Sequence, residues 1–424
     1  MKTIRVVGAG LAGCEAAFYL ANQGYHVKLY EMRPKVKSPA HHSDLFAELV
    51  CSNSLKSKEL TNACGLLKEE IRLLGSLLMK VADETMVPSG NALSVSRDDF
   101  ASRITKIIKT HPRIEIIHEA VTSFSKDEYT IIATGPLTLP PLLNAIAAVI
   151  GQKKLAFFDA SAPIITKDSI DLSKCYYKSR YDRGTADYLN CPFTEAEYLA
   201  FYHALVGAEI APLHDFDQTY FEGCLPLEVM AKRGIDTLRY GPLKPKGLRK
   251  EVADKPYAVL QLRQDNLVNT MYSLVGFQTN LTYEAQRRVF RMIPGLEQAE
   301  FVRYGLMHRN SYFHLGAAVK ENLALKKSPK LYLAGQLSGV EGYVESMASG
   351  LITAIYLDAR IRRLKNYALP PETMLAKLLA YVTNAKEEAP MNASFQLVNI
   401  KKTERLQFAL NSLESLKAYW AYDE

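Results

Sequence analysis

The first 34 residues sort into apolar and polar stretches that predict a strand, a helix and a second strand. Thr3-Ile4-Arg5-Val6-Val7 is an apolar-rich run of strand length, as expected for a buried strand of a parallel sheet. Gly8-Ala9-Gly10-Leu11-Ala12-Gly13 follows at once, and Cys14 to Gln23, rich in Ala, Leu and Phe, predicts a helix. Val27-Lys28-Leu29-Tyr30 predicts a second strand that delivers Glu31. Each part has a physical job at a dinucleotide. Gly8 allows the tight turn, Gly10 lets the backbone approach a pyrophosphate, and Gly13 lets helix and strand pack closely. Ala9, Leu11 and Ala12 complete the turn, and the helix N-terminus turns free N–H groups and the positive end of its dipole toward phosphate. Glu31, 23 positions beyond Gly8, is placed to accept a hydrogen bond from a ribose 2′-OH. A carboxylate there disfavours the 2′-phosphate of NADP, which leaves FAD or NAD.

Further along, Ala92–Ser96 predicts a strand, Asp98–Thr110 a helix, and Ile114–Phe124 and Tyr129–Ala133 two more strands. The last runs into Ala133-Thr134-Gly135-Pro136, which resembles the second signature of flavoproteins with two dinucleotide domains. After Gly151 the pattern loosens. From Phe157 to Asn322 aromatics abound, helical periods are few and basic clusters recur, which predicts an inserted substrate domain with a mixed sheet. The core resumes at Lys330-Leu331-Tyr332-Leu333-Ala334-Gly335-Gln336, opens into Gly339-Val340-Glu341-Gly342-Tyr343, and continues as a helix rich in Ala, Ser and Gly near Ser346–Asp358. Gly335, Gly339, Glu341 and Gly342 are thus candidates to close the site over a flavin or its phosphates. Arg360–Glu424 reads as helical, with a break at Pro370-Pro371.

The expected fold is α/β: a Rossmann-like FAD-binding domain of the glutathione-reductase type in two parts, residues 1–150 and 326–365. Between them lies an inserted mixed α+β substrate domain, 151–325, and a helical C-terminal tail covers 366–424.

Composition narrows the class. The 424 residues suffice for two or three domains, and 48% hydrophobic with 23% charged residues describes an ordinary globular protein. The most apolar stretch, Tyr129–Ile150, is broken by Gly135, Pro136, Pro140 and Pro141, so no membrane span is expected. The chain enters its first strand directly, without room for a signal peptide, which predicts a cytoplasmic protein. Six cysteines show neither a CxxC pair nor zinc spacing, so free thiols and no metal site are expected. The net charge of +7 is compatible with a nucleic-acid partner.

Two cysteines lie in loops suited to access. Cys51 sits in Leu49-Val50-Cys51-Ser52-Asn53-Ser54-Leu55-Lys56, where Lys56 and Lys58 would lower a thiol pKa. Cys224 sits in Phe221-Glu222-Gly223-Cys224-Leu225-Pro226, a predicted turn. Cys14, Cys64, Cys175 and Cys191 are read as core residues. Basic groups at Lys232-Arg233, Lys244–Lys250, Arg287-Arg288-Arg291 and Lys401-Lys402 are interleaved with Tyr240, Tyr257, Tyr272, Tyr283, Phe290 and Tyr304. Such mixtures suit phosphate contacts and base stacking, and equally a solvated surface over core tyrosines.

The sequence resembles the bacterial folate- and FAD-dependent tRNA (uracil-5-)-methyltransferases over nearly its whole length. The resemblance runs through the glycine-rich turn, Glu31-Met32-Arg33-Pro34, Phe46 to Ser54, Gly65 to Glu70 and Gly223 to Pro226. It continues through Gln261 to Asn266, Val275 to Asn280, Arg291 to Leu296 and Gly339 to Ser346. It implies formation of 5-methyluridine at position 54 of the tRNA T-loop. The carbon comes from 5,10-methylenetetrahydrofolate and reducing equivalents from NADPH or NADH through FAD, by way of a flavin-bound methylene. A thiolate adds to uracil C6 so that C5 becomes nucleophilic, and a base then removes the C5 proton. On this resemblance Cys224 is the nucleophile and Cys51 the base or flavin-side partner, with the reverse order open.

The chain departs from the family pattern at Pro88-Ser89-Gly90-Asn91-Ala92-Leu93, at Ser311-Tyr312-Phe313-His314-Leu315-Gly316 and around Phe395-Gln396-Leu397. Those departures leave a paralogous activity on large-subunit ribosomal RNA as an alternative. From other classes, an FAD oxidoreductase of small molecules and an RNA-binding protein with structural FAD also remain. Neither the oligomeric state nor the choice between NADPH and NADH follows from the sequence.

Overall fold

In the computed structural model, which describes residues 2–38, 40–151, 155–212, 225–251, 255–364, 367–384 and 389–421, Thr3–Val7 lies at the centre of a five-stranded parallel sheet. Thr130–Ile132 and Leu331–Leu333 flank it on one side, His26–Glu31 and Ile114–His118 on the other. Ile4, Val6, Val27, Leu29 and Ile131 are fully buried, as strands covered on both faces require. The strand expected through Phe124 ends at His118, because its register partner on the neighbouring strand, Glu31, is the last residue there. The first helix, Leu11–Asn22, starts three residues before the expected Cys14, directly after the extended Gly10. It packs on the long helix Tyr343–Arg362 so closely that a Cβ at Gly350 would lie 2.2 Å from the Ala12 carbonyl oxygen.

The intervening stretch forms a six-stranded sheet in the order Tyr176–Tyr177, Leu189–Phe193, Ala258–Gln264, Met271–Leu274, Ile164–Thr166 and Phe301–Arg303, every pairing antiparallel. Its own core gathers Phe193, Tyr198, Phe201, Phe277 and Phe290. The helix Glu195–Val206 begins at a reciprocal cap between Thr194 and Glu197, which satisfies two helix-end donors. A two-stranded ribbon, Leu155–Ala160 against Met307–Tyr312, brackets this sheet in the sequence. A third small sheet pairs Ser54–Ser57, Ala92–Val95 and Met86–Val87.

The C-terminal helices Met374–Val382 and Arg405–Ala421 pack into the core of the parallel sheet's helices. Buried Glu70, on the helix Ala63–Leu73, accepts the amides of Met374 and Leu375 (2.7 Å each) and the Ser412 hydroxyl (2.5 Å). One carboxylate thereby caps one C-terminal helix and pins the other.

Candidate active site and cofactor cleft

A cleft opens over the C-terminal ends of the parallel strands, where open α/β sheets place their ligands. The glycine-rich turn forms its floor. Gly8 leaves the strand at φ +100°, donates its amide to Tyr30 O at 2.7 Å, and would place a Cβ 2.6 Å from Ala133 O. A Cβ at Gly13 would lie 1.8 Å from the Gly8 carbonyl oxygen, whereas one at Gly10 would meet nothing within 4 Å. Gly8 and Gly13 therefore shape the turn, and Gly10 leaves room above it. No side chain caps the first helix, so its end is free to meet an anion.

Gly8, Gly10, Leu11, Ala12 and Glu31 line the cleft, while Ala9 and Gly13 support it from behind. Thr134, Gly135 and Pro136 of the second predicted signature line it too, as do Gly335, Gln336, Tyr343 and Ser346 from the late strand and helix. Gly339, Glu341 and Gly342 stand outside the lining. Gly339 packs against the Phe313 carbonyl, and Gly342 starts the long helix against the Glu345 carboxylate.

Glu31 accepts Ala9 N at 3.0 Å, and Arg33 N and Nε at 3.0 and 2.9 Å. Burial opposes its charge, but the Arg33 guanidinium and these amides outweigh burial and hold the carboxyl below its usual range. Arg33, itself 2% exposed, also reaches the carbonyls of Ser43 and Leu45 and stands 3.5 Å from Glu48. The turn, Glu31 and the loop through Glu48 are thus one connected wall. Reading by motif left out Arg33 and Glu48 as wall residues; a basic residue two positions after the ribose-site acid was the available signal.

Beside the cleft stands a second wall. The Cys51 amide donates to the Tyr343 hydroxyl at 2.6 Å, and its thiol donates to the Ala160 carbonyl at 3.5 Å. Arg97 donates to the carbonyls of Leu49 and Cys51 and pairs with Asp265 at 2.8 Å. Arg263 donates to Asn53 Oδ1 at 2.8 Å and Ser52 Oγ at 2.7 Å, and Asn53 returns to the Val95 and Gln264 carbonyls. The segment from Leu49 to Ser54 is thereby clamped to the six-stranded sheet.

The expected lysine activation of Cys51 does not occur. The Lys56 ammonium reaches Glu345 at 3.5 Å instead, and burial followed by the Asp159 charge pushes the Cys51 thiol well up. Glu341, bonded by Gln336 Nε2 at 2.5 Å, is pushed up to about 8 by burial and the charges of Asp159 and Glu345. His308 is buried, and burial lowers its pKa, so it is neutral near pH 7. Cys224 lies outside the described residues. The other described cysteines, Cys14, Cys64, Cys175 and Cys191, are buried free thiols.

The family model of glucose inhibited division protein A matches residues 3–365. Methylenetetrahydrofolate–tRNA-(uracil-5-)-methyltransferase TrmFO of Staphylococcus saprophyticus is 52% identical over 402 residues, covering 94% of this chain and 92% of that protein. The enzyme of the same name from Acetivibrio thermocellus is 50% identical over 427 residues, covering 98% of each. The chain belongs to the TrmFO family.

Among solved structures, GidA of Aquifex aeolicus superposes with a TM-score of 0.71 at 16% identity, over 99% of this chain and 73% of that one. That likeness shows the shared fold of the TrmFO chain and GidA.

The basic and aromatic clusters divide in two. Arg291 is bound to the Ala299 carbonyl, Arg239 lies 3.6 Å over the Tyr257 ring, and Tyr272 and Phe290 are buried. These are internal supports. Tyr240, Tyr283, Arg287 and Arg288 face solvent. Among the described residues no helix is long and apolar enough to cross a membrane, and no group of three His, Cys, Asp or Glu residues is placed to hold a metal ion.

Proposed function

We propose that this chain methylates uracil C5 in tRNA, at T-loop position 54, with 5,10-methylenetetrahydrofolate as carbon donor and NADPH or NADH as reductant. The observation that carries the reading is about half identity, over almost the full length, to enzymes named for that reaction. The cleft fits FAD on its own geometry: a turn whose glycines admit a backbone-deep approach, an uncapped helix end, and an ionised carboxylate.

Gly8 and Gly10, with the amides of Leu11 and Ala12 at the helix start, would hold the pyrophosphate, and Gly13 would keep that turn closed behind them. Glu31 would hold the ribose, while Gly335 and the start of the long helix would close the far side. FAD, when bound, supplies the electron path from the nicotinamide cofactor to the one-carbon unit.

The chain's own residues supply the rest. Cys224 is assigned as the thiolate that forms a bond to uracil C6, pushing electron density to C5. Once C5 has formed its bond to the one-carbon unit, Cys51 is assigned as the group that takes the C5 proton; the electrons of that C–H bond restore the C5–C6 double bond as the C6–sulfur bond breaks and the thiolate leaves. Tyr343 and Arg97 fix the Cys51 backbone so that its sulfur has one position. Because burial keeps that thiol protonated, it must lose its proton before it can act. The uracil is stacked inside a folded loop and has to leave it to reach the cleft.

Labelled methylenetetrahydrofolate, NADPH and unmodified tRNA test the reaction, with large-subunit ribosomal RNA run alongside. Label should enter tRNA. Label in neither RNA overturns the methyltransferase reading, and label in ribosomal RNA alone replaces the target. Cys224→Ala should abolish the covalent complex with 5-fluorouracil-containing RNA; a surviving complex that Cys51→Ala removes would reverse the two roles.

A further inference from the structure

We propose that a ladder of three aromatic rings at the edge of the six-stranded sheet stacks an unpaired base of the RNA substrate, next to the target uridine. The inference rests on the RNA-methylating reading above. Tyr304 lies between Tyr283 and Phe301, with centroids 4.6 and 5.2 Å away and planes within 16° and 12° of parallel. These are stacking distances. Tyr304 covers one face of Tyr283, yet Tyr283 remains 54% exposed. The ladder ends on an open ring face, where a core ladder would end on a buried one.

A cation stands beside it. Arg287, one helical turn beyond Tyr283, donates Nε and Nη2 to the Tyr304 hydroxyl at 3.2 and 2.8 Å and makes no ion pair among the described residues. Of the nearby acids, Glu209 is taken by Arg288 at 2.5 Å, and Glu284 is exposed beside Tyr283 on the same helix. An aromatic face with an unpaired guanidinium is how proteins hold single-stranded nucleic acid: the ring takes a base, and the cation takes a phosphate.

Position points the same way. Arg303, the residue before Tyr304, reaches Glu48 on the cleft wall at 3.4 Å. Two residues after Tyr304, the Leu306 carbonyl accepts the Ser161 amide, and the preceding carbonyl, Ala160, accepts the Cys51 thiol. The ladder therefore stands on the same short stretch of wall as Cys51. When the uridine leaves its stack, a flanking base loses a neighbour, and Tyr283 offers a replacement face within the same bound loop.

An unmodified T-arm stem–loop RNA is the probe, with 2-aminopurine on one side or the other of the target uridine. The parent protein should quench one of the two labelled RNAs. Tyr283→Ala should bind the RNA about tenfold more weakly, raise KM for RNA in step and lose the quench. Its flavin content and RNA-free NADPH oxidation should stay unchanged. Tyr283→Phe should behave as the parent, and Arg287→Gln should keep the quench while reducing the salt dependence of binding by about one phosphate contact.

Parent-like affinity, KM and quench in Tyr283→Ala, with the parent methylating the RNA, overturn the ladder alone. A parent that methylates neither tRNA nor ribosomal RNA overturns the functional reading, and the ladder falls with it.

Discussion

Two walls meet at the cleft, and they are built from different materials. The turn from Gly8 to Gly13 is backbone geometry: a left-handed residue, two close approaches and one open position, all within six consecutive residues. The wall around Cys51 is side-chain geometry, with Arg97 reaching Asp265 and Arg263 reaching Asn53 across 168 and 210 positions of sequence. The first excludes side chains to make room for a ligand. The second buries charges to fix one sulfur, and each charge depends on its distant partner.

That contrast sets the size of the expected effects. Arg97→Ala should cost most, about 3–5 kcal/mol in denaturant unfolding, because Asp265 is left buried without its partner. The pair of changes Arg97→Met and Asp265→Leu should recover most of that stability without recovering methyl transfer. An Arg97→Ala protein as stable as the parent would break the description of this wall.

On the backbone wall, Gly13→Ala should cost about 3 kcal/mol and the bound flavin, since its methyl would meet the Gly8 carbonyl. Gly10→Ala should leave the melting temperature of the flavin-free protein unchanged and lower only flavin retention, because its methyl would point into open space. Equal destabilisation by the two changes would show that the turn is not divided as described.

A further difference concerns pH, where Glu31 and Glu341 have opposite signs. Glu31, held below its usual range, adds stability above the ordinary carboxylate range, and that stability is lost as the pH falls through its lowered value. Glu341 is pushed from 4.5 up to about 8, so the folded state holds a proton that the unfolded state has released. Its contribution therefore declines as the pH rises from 4.5 to about 8. Glu341→Gln should flatten that decline and be more stable than the parent at pH 8, while Glu31→Gln should lose stability at neutral pH. Melting curves across pH 4 to pH 9 would separate the two, and parallel shifts in both variants would contradict the assignment of opposite environments.

Much of the first wall was legible because its information is local. Strand, turn and helix follow from apolar runs and glycine spacing, and the late strand with its small-residue helix follows from the same signals. The strand expected to reach Phe124 stops at His118 because strand length depends on where the neighbouring strand ends. The activation of Cys51 by Lys56 was misread for a related reason. Proximity in sequence does not set which acid a lysine meets, and Glu345 of a distant helix takes it.

The glycine pattern and the acid after the second strand were enough to determine a nucleotide cleft, since turn geometry and helix-end electrostatics are properties of consecutive residues. Resemblance along the chain supplied the family. Only the tertiary structure decided that Cys51 is a half-buried thiol raised in pKa, that Arg97 and Arg263 clamp its segment, and that Tyr283 ends a ladder on an open face. Those outcomes depend on burial and on charges brought together from far apart in the chain, and neither is a property of any single stretch of sequence.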